Sequence, residues 1–234
     1  MQELTLAIFD LDHTLLDADC SALWSAQMQR LGWVDGEAFG RRHAALMADY
    51  GERGLDMHAY LDLTLAPLVG RHQDEVAAAV RELAAAQLLP RVYPEALELI
   101  AAHRAAGHTL LLVSASEEFL VRPMGLALGF EHIHGVPCEL RDGRYSGRSQ
   151  GLLTYAEGKV HCLENWLLRH GGQVRQSFFY SDSHNDLPLL EWVSEPRPTN
   201  PNARLMLEAE RRGWECRWLT PAAAGRGNVA VMGS

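Results

Sequence analysis

The sequence predicts an α/β fold, a doubly wound parallel sheet with a bundle of helices inserted after its first strand. Three observations carry that expectation. Short apolar runs recur near residues 4–9, 109–113 and 174–180, separated by segments of helical periodicity. Between residues 20 and 90 the apolar residues follow helical spacing alone, with no strand signal. The strand-like runs end in acidic or hydroxyl residues, at the strand ends where open α/β sheets bind ligands.

The elements follow in order. "LTLAIFDLDHTLLDAD", residues 4–19, begins with Leu4, Leu6, Ala7, Ile8 and Phe9, an apolar run that suits a strand buried on both faces. It ends in Asp10 and Asp12, which in an extended chain project to one side and repel, so something must offset them. Leu23, Trp24, Met28 and Leu31 then form a helical stripe that Gly32 interrupts, and similar stripes run through 39–47, 58–68 and 76–89. Pro94 suits a first helical turn, Gly107 a C-terminal cap, and Thr109 to Val113 a second strand. A strand is expected at 132–136 and a hairpin turning at Asp142-Gly143. A helix from about Gly158 to His170, the strand "VRQSFFYS", a helix stopped by Gly213 and a last short strand complete the pattern. The final "PAAAGRGNVAVMGS" reads as a loose tail.

With 234 residues, 47% of them hydrophobic, the chain can bury one large core with an insertion. Residues 1–16 and 91–234 are expected to form the core, and 17–90 a helical cap. The formal charge of -9 argues against nonspecific nucleic-acid or anionic-membrane binding. Cys20, Cys138, Cys162 and Cys216 lack paired spacing and read as reduced thiols. Glu3 near the start, the lack of a basic region before the apolar run and the lack of a long apolar span lead us to expect a cytoplasmic protein without signal peptide or membrane span, monomeric or homodimeric.

Chemistry concentrates at the strand ends: Asp10 and Asp12, Ser114 and Ser116, Asp182 and Asp186, with Lys159 opening a helix. Singly, such residues are turn formers, helix caps or a solvated cation. Together, the carboxylates suit a hard cation such as Mg²⁺. One could act as a nucleophile and its neighbour as acid and base, with Ser114 and Lys159 steadying phosphoryl oxygens.

These residues also make a recognisable set. "DLDHT" resembles the first motif of the haloacid dehalogenase superfamily, "LLLVSAS" the second, Lys159 the third and "YSDSHNDLPLL" the fourth. The helical insertion and the Asn-Asp pair of the last motif resemble the phosphoserine phosphatase-like branch, with its helical C1-type cap. The resemblance implies a Mg²⁺-dependent phosphatase. Asp10 would be nucleophile and metal ligand, and Asp12 the acid/base with its backbone carbonyl on the metal. Asp182 would be a metal ligand and Asp186 would support the metal from behind. Ser114, Lys159 and Asn185 would bind phosphate, and Thr14 would brace the loop.

In that branch a Glu after the first motif receives the substrate ammonium and a cap Arg its carboxylate. Here those positions fall on Asp19 and near Asp62, with Arg53, Arg41 or Arg42 as substitutes for the Arg. Two acids favour an amine-bearing substrate without a carboxylate, which places histidinol phosphate ahead of phosphoserine. Two other readings remain open: a phosphoacceptor receiver-like module, and a phosphotransferase. His132, His134 and Cys138 lack the companions of a zinc site, and Trp24, Trp33 and Trp166 read as packing residues.

Overall fold

The computed structural model describes residues 3–53 and 56–221, with residues 44 and 47–53 described in backbone only. Its main sheet is wholly parallel and runs β3 (His132–Val136), β2 (Thr109–Glu117), β1 (Glu3–Phe9), β6 (Gln173–Ser181), β7 (Glu195–Pro198). In the centre, Ile8 lies between Leu111 and Phe179 in register. Side chains alternate between two buried layers. Leu6, Ile8, Leu111, Val113 and Phe179 face α7 (Glu157–His170), α8 (Leu187–Trp192) and α9 (Ala203–Arg212). Ala7, Phe9, Leu110 and Leu112 face α5 (Pro94–Ala105) and α6 (Glu118–Ala127). Burial on both faces is why the strands read as unbroken apolar runs. Phe9 stacks on Tyr180 at 4.7 Å, and the Tyr180 hydroxyl is 2.8 Å from His103 Nε2.

Between β1 and α5 lie α1 (Cys20–Arg30), α2 (Gly36–Arg53), α3 (Met57–Leu65) and α4 (Gln73–Leu83). Asp19 caps α1 by accepting from Ala22 N–H, and Asp56 caps α3 through His58 and Ala59 N–H. Helix α4 runs on through a π turn and a 3₁₀ turn to Arg91, so the stripe through 76–89 spans three helix types. Trp24 is buried against Trp33 and Phe119, Arg71 lies 3.9 Å over Trp33, and Trp166 packs under the sheet. All four cysteines are free thiols. Among the described residues, no helix is long and apolar enough to cross a membrane.

The expected hairpin is present as β4 (Cys138–Arg141) and β5 (Arg144–Ser149). Asp142 and Gly143 take φ of 51° and 73°, the left-handed pair that a tight two-residue turn requires. The hairpin bonds to the helical insertion: Gln73 N–H donates to Gly143 C=O at 2.8 Å, and Tyr145 N–H to Arg71 C=O at 3.0 Å.

Three features depart from the sequence reading. β2 continues past Val113 to Glu117. The edge strand β7 was hidden by Pro196 and Pro198, residues that only an edge tolerates. The short strand expected after Gly213 is instead one isolated bridge between Thr199 and Arg217. The tail from residue 222 lies outside the described residues.

Candidate active site

Asp10 follows β1 at the sheet's carboxyl edge, where its N–H donates to Tyr180 C=O at 2.9 Å. The chain then turns tightly through His13, at a left-handed φ of 53°, and Leu15 N–H reaches Leu11 C=O at 2.9 Å. That turn separates the two acids. The Asp10 side chain faces Lys159, whose Nζ lies 2.9 Å from Asp10 Oδ1 and 2.7 Å from Asp186 Oδ2. The Asp12 carboxyl turns toward the end of β2 and the start of α1. Its Oδ1 accepts from Cys20 N–H at 2.7 Å, and its Oδ2 accepts from Ser116 Oγ at 2.7 Å and Ser114 Oγ at 3.3 Å. Two residues that a strand would align therefore point at different partners. Ser114 and Ser116, read singly as helix caps, serve Asp12 instead, and the α6 N-terminus has no side-chain cap.

Asp182 and Asp186 come from the end of β6 and the 3₁₀ turn after it. Asp182 is tied to Thr14, and Asp186 Oδ2 also accepts from Ser181 Oγ at 2.7 Å. Lys159 enters on the first turn of α7, delivered by a tight approach. A Cβ on Gly158 would lie 1.8 Å from Leu153 C=O, so only glycine fits.

The electrostatics follow from burial. Burial pushes Asp10 up to about 7, with Lys159 opposing and Asp186 and Asp12 adding to the rise. Burial also pushes Asp182 up to about 8, and Asp10 and Asp186 reinforce it. For Lys159, burial is the largest influence and disfavours the ammonium, but the two aspartates outweigh it and hold the group above its ordinary value.

These residues line a cleft of about 290 Å³, whose floor holds Asp10, Ser114, Lys159, Asp182 and Asn185. From the helical insertion come Asp19, Ser21, His43, Met57 and Tyr60. Asp19 meets solvent at the mouth, yet burial on its cleft side and the Asp12 charge raise its carboxyl above the ordinary value. Asp62, an expected substrate contact, is exposed on α3 and is not on the cleft wall. Arg41 and Arg42 are exposed on α2, and neither lines the cleft. The Arg53 side chain lies outside the described residues. His43, Met57, Tyr60 and Ser21 escaped the sequence reading, because helical periodicity does not reveal which side of an inserted bundle overhangs a sheet edge.

The donor set suits a hard cation. Asp10 and Asp182 offer carboxylate oxygens, and the raised values of these two buried acids mark a place where positive charge is favourable. Among the described residues no three His, Cys, Asp or Glu side chains converge as a ready metal cluster. Asp186, expected in the metal set, is instead bound to Lys159 and Ser181.

The model of the haloacid dehalogenase-like hydrolases matches residues 7–191. The chain belongs to that family. It is 38% identical over 213 residues to a histidinol-phosphatase of Neisseria meningitidis serogroup C (strain 8013), covering 89% of this chain and 96% of that one. It is 29% identical over 214 residues to the phosphoserine phosphatase SerB1 of Mycobacterium tuberculosis (strain ATCC 25618 / H37Rv), covering 90% and 70%. A solved protein of unknown function from Bordetella pertussis Tohama I superposes with a TM-score of 0.86 at 35% identity, over 92% of this chain and 99% of that one. The chain is thus a phosphatase of the haloacid dehalogenase-like family, in its phosphoserine phosphatase-like branch.

Proposed function

We propose that this phosphatase hydrolyses L-histidinol phosphate through a phosphoryl intermediate on Asp10. The observation that carries the substrate assignment is Asp19, an acid at the cleft mouth flanked by His43 and Tyr60, whose rings lie 5.9 Å apart. Asp19 receives the substrate ammonium, and the two rings, tilted at 59° to each other, offer the imidazole an aromatic, partly apolar corner. A substrate carboxylate beside Asp19 would be repelled. The relative named histidinol-phosphatase, matched along nearly its whole length, supports this reading. O-phosphoserine is the second reading, favoured by the SerB1 relative.

The mechanism uses the two directions in which the acids point. The Asp10 carboxylate attacks phosphorus, and the bond from phosphorus to the ester oxygen breaks as the new bond forms. Asp12 gives its proton to the departing alkoxide. Asp12 then takes a proton from water, whose oxygen attacks phosphorus and releases Asp10 with inorganic phosphate. Ser114 and Asn185 orient the non-bridging oxygens, and Lys159 balances the charge of Asp10 and Asp186. Phosphatases of this family generally use Mg²⁺. When bound here, by Asp10, Asp182 and the Asp12 carbonyl, it would neutralise the phosphoryl oxygens.

The test is Mg²⁺-dependent phosphate release from histidinol phosphate and O-phosphoserine side by side, with Asp10→Asn as the blank. We expect a higher kcat/KM for histidinol phosphate and no turnover by Asp10→Asn. A preference for phosphoserine would overturn the substrate assignment, and hydrolysis by the variant would overturn the nucleophile.

A further inference from the structure

Glu117 is a buried carboxyl that the mechanism above leaves unused. It ends β2, is 1% exposed and does not line the cleft. Hydroxyls surround it: Ser21 Oγ of α1 lies 2.9 Å from Oε2, and Thr64 Oγ1 of α3 lies 2.9 Å from Oε1. No cation pairs with it among the described ion pairs. A buried, unpaired acid costs stability, and its partners lead directly to the reacting centre.

A row of oxygens joins Glu117 to Asp12. Glu117 Oε2 contacts Ser21 Oγ at 2.9 Å, Ser21 Oγ contacts Ser116 Oγ at 3.2 Å, and Ser116 Oγ contacts Asp12 Oδ2 at 2.7 Å. Three contacts need three hydrogens, and two hydroxyls supply two. When Asp12 is ionised, a hydrogen on Glu117 fills the gap, with Glu117 donating to Ser21, Ser21 to Ser116 and Ser116 to Asp12; when Asp12 holds the proton, the row runs the other way, from Asp12 through Ser116 and Ser21 to Glu117. Burial raises the Glu117 carboxyl above its ordinary value, in keeping with that arrangement.

We propose that Glu117 is a positioning residue that fixes the Asp12 carboxyl through Ser21 and Ser116, and through Thr64 ties the acid's orientation to the seating of α1 and α3. The helices that overhang the cleft and the group that protonates the leaving oxygen then form one hydrogen-bonded unit. Displacing either helix loosens the acid. This inference rests on the assignment of Asp12 as the acid.

The test exploits leaving groups. An alkyl phosphate needs its departing oxygen protonated, whereas p-nitrophenyl phosphate leaves as a stable anion without help. Glu117→Ala should lower kcat/KM, which reports the steps up to departure of the alcohol, roughly tenfold or more for the alkyl ester, as a misplaced catalytic group does, and leave kcat/KM for p-nitrophenyl phosphate within about threefold of wild type. Glu117→Gln, whose amide donates to Ser21 and accepts from Thr64, should restore both rates. An equal fall on both esters, or no fall on either, would overturn the proposal. A readout independent of turnover guards against misfolding and against an error in the reaction itself. Asp12→Asn and Glu117→Ala, combined in a thermal-unfolding cycle, should shift Tm non-additively, and simple additivity would overturn the linkage. Loss of every Asp10-dependent activity in the wild type, with the coupling intact, would instead point to the reaction assignment.

Discussion

Thr14 and Asp182, 168 residues apart in the chain, bond each other twice: the Thr14 hydroxyl donates to Asp182 Oδ1 at 3.3 Å and accepts from Asp182 N–H at 2.9 Å. One buried hydroxyl thereby locks the loop after β1 to the loop after β6, the two strand ends that carry the acids. Thr14→Val keeps the shape and deletes both bonds. It should cost about 1–3 kcal/mol of stability, the penalty of a buried N–H left without its partner. Thr14→Ser should retain most of it. Chemical denaturation of the three proteins measures the difference, and equal stability of Val and wild type would contradict the brace.

Gly158 permits no side chain, because its Cβ would meet the Leu153 carbonyl at 1.8 Å. Gly158→Ala should shift the first turn of α7 and with it Lys159. The expected result is a loss of phosphate release well beyond any loss of helix content. Circular dichroism beside an activity assay checks it, and a fully active alanine variant would refute it.

Cation binding should depend on pH. In the metal-free protein Asp10 and Asp182 are raised to about 7 and about 8, chiefly by burial. Their folded values lie above the unfolded ones, so the metal-free fold gains stability as pH falls through that window and loses it as pH rises. Mg²⁺ needs both ionised. Its stabilising effect should be large at pH 8.5, about 2.7 kcal/mol when the ion is at a hundred times its Kd, and small at pH 5.5. Tm with and without Mg²⁺ at the two pH values measures this. A pH-independent increment would place the ion elsewhere.

His103 is buried, and burial first, then His108 and nearby arginines, lower it to about 4. Its folded value lies below the unfolded 6.5, so its contribution is complete above pH 6.5 and is lost as pH falls toward 4. The loss attributable to this one group is at most roughly 3 kcal/mol. The buried aspartates slope the other way, so the histidine is isolated by comparison with His103→Phe, whose stability should decline less between pH 6.5 and 4. Parallel curves for the two proteins would contradict it.

The floor of the site was legible in sequence because each member sits at a junction where periodicity changes: Asp10 after an apolar run, Ser114 after another, Lys159 at a helix start. Its upper wall was not. His43, Tyr60 and Met57 occupy helical positions like their neighbours, and only the docking of the bundle turns them toward the sheet edge. Asp62 illustrates the same limit, since a position counted along the chain lands on the solvent side of α3. Glu117 was hidden because β2 was expected to stop at Val113, which left this carboxyl outside the strand. β7 was missed for a local reason, its prolines, although its place at the edge makes them harmless.

The hydrogen bonds from Gln73 and Tyr145 that join the β4–β5 hairpin to the helical insertion bear on how this architecture can be recombined. A chimera that exchanged residues 17–90 alone would keep the bonds to Gly143 and Tyr145 only where the new bundle reproduces the backbone path of residues 71–73. The transplantable unit is discontinuous: the helices together with residues 138–149, cut at four places. Substrate preference should move between relatives only when both pieces travel together.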